Sequence, residues 1–243
     1  MIVVILCLIY WTKMVIVQLS MMVILVVLLA EFFVCCLMSL NKGKPMKLYH
    51  FPIAPNPAKV LAYVKEKGLD NLELELVDFL KGEQNSPEHL ARSARGTVPV
   101  LELDDGTCLT ESLPIMEYLE EVFPEPPMIG ATPVARQQVR ARERYIELNV
   151  TNRLVRLVHA TNSPLGLPPN PALADNESKY LPGSLEYVDE LVGAGPFVMG
   201  ERPTIADCTL LAGFNFANFG KLEIHKGYAN LDRWFDMFAL RHL

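Results

Sequence analysis

Cysteine is scarce in this chain and poorly spaced for chemistry. There are five, Cys7, Cys35, Cys36, Cys108 and Cys208, and no pair stands in a C-x-x-C arrangement. Neither a disulfide framework nor a zinc site follows from them, and no other metal set is read from the sequence. Cys108 and Cys208 lie within apolar patterns, as small core residues do, which suits a reducing compartment. An excess of positive charge is missing too. Of 243 residues, 22 are Lys or Arg and 28 are Asp or Glu, a formal net charge of -6. Three of the basic residues and one of the acidic ones fall in the first 45, leaving 19 against 27 in the rest. Phosphate backbones are held by positive surfaces, so nucleic acid is not expected as the main partner.

Polar residues are almost absent from the first 38 positions, where only Thr12, Lys13, Gln18, Ser20 and Glu31 interrupt an apolar, β-branched run. A basic leader and a small-residue cleavage site are absent, which makes the segment a poor secretory signal. Residues 14–30 reach the lower length limit of a membrane-spanning helix, and Cys35-Cys36 could accept acyl chains. Lys42, Lys44 and Lys47 follow, and the positive-inside rule would then leave the remainder facing the cytoplasm. The alternative is a spurious extension upstream of a start at Met38 or Met46. Under either reading, residues 1–45 are set apart from a body expected in the cytoplasm. With 51% apolar residues the chain can bury one large core or two modest ones.

The body opens with a short strand, Lys47-Leu48-Tyr49-His50, and a proline-crowded loop over 51–56. Pro57 is expected to begin a helix with Val60, Leu61 and Val64 on one face, stopped by Gly68. Leu72-Glu73-Leu74-Glu75-Leu76 alternates with period two, the pattern of a half-buried strand. A polar loop (82–86) and a short helix (87–94) lead to the stretch around which the rest is arranged. There Val98-Pro99-Val100-Leu101 and Cys108-Leu109-Thr110 read as strands, with Asp105-Gly106 as the hairpin turn between them. Pro99 at a strand's start fits an edge or a special turn. A cis Val98–Pro99 bond, cheap before proline, would leave the N–H and C=O of Val98 free for a peptide-like ligand. Glu111-Ser112 then precedes the helical run Ile115, Met116, Tyr118, Leu119, Val122. Ser112 is expected as its N-cap, and the open N–H groups there as an anion site.

Phe123-Pro124-Glu125-Pro126-Pro127 is a stiff linker. Beyond it lie helical patterns over 134–160, 177–192, 204–219 and 231–240, with a Pro- and Asn-rich loop at 161–174. Thr204-Ile205-Ala206-Asp207 has the spacing of a capping box, a folding device.

Val98-Pro99-Val100-Leu101, then Asp105-Gly106, then Glu111-Ser112 with Ile115 and Tyr118-Leu119, resembles the glutathione-binding half of a cytosolic glutathione transferase. The resemblance covers the chain from about Met46 to about Arg241. It departs at Pro114, where the family usually has Ala; a proline sits comfortably in a first helical turn. The resemblance implies an α+β architecture, with a thioredoxin-like domain over 46–123, a linker over 124–133 and an all-helical domain over 134–243. It also implies a homodimer, with glutathione as co-substrate and no permanently bound cofactor. Val98 is assigned to backbone pairing with the cysteinyl part, and Glu111 with Ser112 to the γ-glutamyl end. Arg95 and Lys59, with Gln84 as an alternative, are assigned to the glycyl carboxylate. Either a hydrophobic electrophile or an organic peroxide would be the second substrate.

Such a transferase works on the thiolate, and a free thiol with a pKa of about 8.5 is only a few per cent ionised at neutral pH. Lowering that value by about two units takes roughly 2.7 kcal/mol of preference for the anion. One hydrogen bond to a charged group supplies about 1.5–3 kcal/mol and a helix N-terminus about 0.3–1. One well-placed donor at a helix start therefore suffices. The family usually provides it as Tyr, Ser or Cys, yet residues 51–60 contain none of these and no Thr. Thiol-exchange chemistry and the Ser-rich isomerase loop are disfavoured by the same absence, and Tyr49 on the preceding strand is poorly placed.

What remains is Asn56. The run Ala54-Pro55-Asn56-x-x-Lys59-Val60 is similar to that of the nu-class transferases, in which the matching Asn contacts the sulfur. Its carbonyl could cap the helix while its NH2 group meets the thiolate. Lys81-Gly82-Glu83, residues 96–107 and His159-Ala160-Thr161 are instead close to an atypical yeast-type class, which holds a water with a Ser and a His of the helical domain. Those two positions align with Leu154 and Val158, so His159 is the weaker alternative for the catalytic role. The electrophile is expected between residues 51–55, His159, the 164–171 loop and Phe214 or Phe216. A basic fourth helix (Arg136, Arg140, Arg142, Arg144, Arg153, Arg156) and an acidic third (Glu117, Glu120, Glu121, Glu125) fit a two-fold dimer with crossed charges. The rival reading is a non-catalytic glutathione-binding or interaction module of the same fold.

Overall fold

The computed structural model describes residues 46–222, 224 and 226–242. The hydrophobic segment 1–45, with its anchor and start-site readings, lies outside them. Among the described residues no helix is long and apolar enough to cross a membrane.

Strand β1 (Lys47–His50) is followed by helix α1 (Pro55–Lys67), β2 (Glu73–Leu76) and the short α2 (Pro87–Arg92). The hairpin β3 (Val100–Glu102) and β4 (Cys108–Thr110) comes next, and α3 (Ser112–Val122) completes this part. The sheet order is β2-β1-β3-β4, with β1 and β2 parallel and the other two pairings antiparallel. This is the thioredoxin-like arrangement. Helices α4 (Pro133–Ile146), α5 (Asn152–Thr161), α6 (Pro171–Val192), α7 (Ile205–Phe219) and α8 (Ala229–Leu240) form an all-helical second part.

The two parts share one apolar cluster. Leu48, Val60, Tyr63, Leu101, Ile115 and Leu119 from around the sheet join Ile146, Leu154, Leu210, Phe214 and Trp234 from the helices. The opposite sheet face carries a smaller group, Tyr49, Val77, Val98 and Val100. A continuous close-packed core holds helix α1, and the loop before it, rigidly against the helical part. Asp207 ties the end of that core together. Its buried carboxylate accepts from Thr204 N (2.8 Å), Val198 N (2.9 Å) and Trp234 Nε1 (2.9 Å), and Thr204 completes the capping box of α7.

Several elements differ from the sequence-based expectation. Helix α1 begins at Pro55, two residues before Pro57, because a proline is as well suited to the first helical position as to the third. All four residues of β2 are exposed, Leu74 by 53% and Leu76 by 51%, since β2 is an edge strand with β1 as its one neighbour. Helix α6 starts inside the expected 161–174 loop. Asn170 Oδ1 accepts from Leu173 N at 3.1 Å and Pro171 takes the first helical position, a stronger start than the apolar pattern alone signals. The pattern over 134–160 is two helices joined by one π-helical turn, Glu147–Thr151.

Candidate functional site

Helix α1 starts in an unusual way. Its N-cap, Ala54, offers no side-chain oxygen, and its N–H is already bonded to Phe51 O at 3.0 Å. Pro55 and Pro57 have no N–H to offer, and Ala58 N closes on Ala54 O at 3.2 Å. Asn56 N–H is thus the one first-turn donor left without a partner in the chain, among the described residues. Asn56 is the second helical residue, so its side chain is not the cap that the sequence suggested. Its Oδ1 accepts from Lys59 Nζ at 2.9 Å, which leaves the exposed amide NH2 as a second donor beside its own N–H.

Lys59 is 1% exposed. Besides Asn56, its ammonium pairs with Glu147 at the start of the π turn. One turn earlier, buried Glu143 accepts from Thr209 Oγ1 at 3.1 Å, and its Oε2 has no hydrogen-bond partner among the described residues. Burial pushes the Glu143 carboxyl up, with the neighbouring Glu147 charge adding to that and Lys59 opposing it. Sequence reasoning missed this cluster. Its signal was present: Glu143 shares a helical stripe with buried Val139, Ile146 and Val150, where an acid is out of place unless partnered.

Ahead of β3, the Val98–Pro99 peptide is cis and the β1–β3 pairing begins at Val100. Val98 N–H and C=O therefore pair with no other backbone group among the described residues. Gly96, at φ +62°, allows the approach to this turn, since a Cβ there would lie 2.6 Å from Gln84 O. Glu111, at φ 72°, is the N-cap of α3, and Ser112 is its first helical residue. That corrects the expected cap by one position: the left-handed turn at Glu111 places the boundary there. Ser112 is nearly buried and its hydroxyl has no partner in the chain, among the described residues. Pro114 lacks an N–H, so Ser112 and Leu113 supply the open ones. Arg95 forms an ion pair with Glu111, both largely exposed. This brings together two residues that the resemblance assigned to opposite ends of glutathione.

The other candidates are placed as follows. Tyr49 OH donates to Glu102 Oε2 at 2.8 Å beneath the Arg92 guanidinium, in the opposite-face cluster. Burial, then the Glu102 bond, pushes its hydroxyl up to about 12. His159, near the end of α5, pairs through Nδ1 with Ser163 Oγ at 2.9 Å and packs 5.5 Å from the Phe216 ring. Burial holds its pKa below the ordinary histidine value. Phe214 is fully buried, its ring 5.9 Å from that of Trp234, and Phe216 is buried as well, behind His159.

Two family models match the chain: the glutathione S-transferase N-terminal domain over residues 48–127 and the C-terminal domain over 155–241. Glutathione S-transferase 2 of Saccharomyces cerevisiae is 34% identical, over 83% of this chain and 90% of its own length. Glutathione S-transferase GstA of Escherichia coli O157:H7 is 31% identical, over 74% and 86%. Among solved structures, Gtt2 from S. cerevisiae superposes with a TM-score of 0.71 at 30% identity, covering 79% of this chain and 94% of that one. A glutathione S-transferase domain-containing protein of Marinobacter aquaeolei gives 0.73 at 32%, covering 80% and 98%.

Proposed function

The chain belongs to the glutathione S-transferase family, and from that premise we propose that it ionises the glutathione thiol at Asn56 and delivers the thiolate to a hydrophobic electrophile. The observation that carries this reading is the start of α1. Two donors of one residue, the N–H and NH2 of Asn56, stand open there while every neighbouring first-turn donor is absent or used. A thiolate near them would also feel the positive end of the α1 dipole. Glutathione would lie across the cleft in an extended form. Val98 would pair with its cysteinyl backbone, and Ser112 with the start of α3 would take the γ-glutamyl carboxylate. Glu111 would hold the ammonium, with Arg95 beside it.

Residues 46–123 act in this reading as the glutathione domain, 124–133 as linker and 134–243 as the domain for the second substrate. The electrophile would sit among residues 51–55 and His159, a neutral imidazole backed by the buried Phe216 ring. Organic peroxides fit the same place as alkylating or arylating electrophiles. The assembly is read as a two-fold homodimer.

The test combines retention on glutathione-agarose with turnover of a chloronitrobenzene and of cumene hydroperoxide. Asn56→Ala should raise the thiol pKa in the binary complex and lower kcat/KM by about 10- to 100-fold, the worth of one charge-assisted hydrogen bond. An unchanged thiol pKa would remove Asn56 from the mechanism and turn attention to His159. The missing hydroxyl or thiol in residues 51–60 favours one second reading, a binding module without catalysis. Retention without turnover would support that one.

A further inference from the structure

We propose that Lys59 is a positioning residue for the glutathione sulfur: held by Glu147, it grips Asn56 Oδ1 and keeps the amide NH2 turned outward, away from the buried ammonium. The inference rests on the reading of Asn56 as the sulfur's donor and extends it to the residues that aim that donor.

An ammonium has three donors and no acceptor, so only the oxygen of the Asn56 amide can face it. With the amide turned over, NH2 would be set against NH3+. The 2.9 Å contact from Lys59 Nζ therefore selects one of the two amide orientations, the one that presents donors to the ligand. An amide whose oxygen accepts from a cation is also polarised into a better donor. Without Lys59, an exposed asparagine at a helix start would rotate freely, and its oxygen would face the thiolate part of the time.

The burial of Lys59 has no simpler use in view. An ammonium taken out of water needs a partner, and Glu147 supplies it from the helical part of the molecule. Glu147 opens the one π-helical turn in the α4–α5 run, Glu147–Thr151, a distortion often found at functional sites. The turn is seated against α7 at Gly213, where Thr151 Oγ1 would lie 2.8 Å from an added Cβ. The chain thus runs from the α4–α5 junction through a buried ion pair to the amide at the tip of α1. Lys59 is buried and its ammonium is engaged by Asn56 and Glu147, which sets this role apart from a direct grip on the glycyl carboxylate.

The experiment is a pH titration of thiolate ultraviolet absorption in the glutathione complex of the full chain. It compares the wild type with Asn56→Ala, Lys59→Met and the double variant, with glutathione affinity measured by calorimetry. Lys59→Met should raise the bound thiol pKa by about one unit, a roughly tenfold loss of thiolate at neutral pH, with little change in affinity. Adding it to Asn56→Ala should have no further effect, because the two act through one amide. Should Lys59→Met fail to fold with Glu147 left unpaired, Lys59→Met with Glu147→Met removes both charges and should give the same shift. An unchanged thiol pKa in a folded Lys59 variant would overturn the inference. So would lost affinity at unchanged pKa, which marks a direct carboxylate ligand. A wild-type complex whose thiol titrates like free glutathione would overturn the Asn56 reading itself, whereas a silent Lys59→Met beside an active Asn56→Ala effect defeats this inference alone.

Discussion

At the scale of single residues, the site is built from groups whose chemistry is settled by what they touch. Glu143 is the clearest case for a measurement. Burial, then the charge of Glu147, keeps its folded-state pKa above that of an ordinary glutamate. Between those two values the folded chain binds more protons than the unfolded one, so this residue makes stability fall as pH rises through that window. Glu143→Gln keeps an acceptor for Thr209 Oγ1 and removes the buried ionisation. It should flatten that part of the pH–stability curve and raise Tm at neutral pH, by about 2–4 °C for each kcal/mol recovered. Thermal melts of both proteins from acid to neutral pH would check this, and a lower Tm for the variant at neutral pH would contradict it. Legibility differed sharply among these residues. Val98, Glu111, Ser112 and Asn56 could be singled out because their spacing belongs to a motif. Glu147, the acidic partner of Lys59, could not, since 88 positions separate the two and no local pattern joins them.

The secondary-structure elements were legible where an apolar face and its punctuation agree. Gly68, with φ +68°, ends α1 as expected, and Asp105-Gly106 turns between β3 and β4. The start of α6 was hidden because Asn170-Pro171 looks like loop until the helix that follows is known. The π turn at Glu147–Thr151 was hidden for a different reason: one extra residue in a turn barely alters a 3.6-residue periodicity. Its structural support yields a prediction. Gly213 lies within α7, where alanine is ordinarily better by about 1 kcal/mol. Here the added Cβ would meet Thr151 Oγ1 at 2.8 Å and its Cα at 3.2 Å, and that hydroxyl is already bonded to Thr209 O at 2.9 Å. Gly213→Ala is therefore expected to destabilise by about 1–3 kcal/mol in urea unfolding, as overpacked cores do. Thr151→Ala in the same chain should recover part of that loss. A Gly213→Ala protein more stable than the wild type would show that the π turn yields easily and cannot hold Glu147 in place.

For the molecule as a whole, the proposed homodimer needs a face on which two copies would meet, and the ion pairs narrow the choice. The sequence offered six arginines on one helical stripe and four glutamates on another. Arg140 is taken by Glu117, Arg142 by Tyr187, and Arg153 with Arg156 by Glu177. Glu120 is enclosed by Lys67, Tyr63 and the N–H groups of Met128 and Ile129. What remains without a hydrogen bond or ion pair to another side chain, among the described residues, is Arg136 and Arg144 against Glu121 and Glu125. Three of these four line one groove of about 430 Å³ between α3, the proline linker and α4. Around a two-fold axis each residue meets its counterpart's partner, so two such grooves face to face would pair Arg136 of one copy with Glu121 or Glu125 of the other. Exposed charges at an interface rim mainly steer and discriminate, so their effect should be strongest in low salt. If the proposed dimer forms through this groove, Glu121→Arg with Glu125→Arg shifts it towards monomer in sedimentation velocity at low ionic strength. Adding Arg136→Glu should restore association. A wild-type chain that sediments as a monomer at micromolar concentration would end the dimer reading. A dimer indifferent to both charge reversals would place the contact on another face.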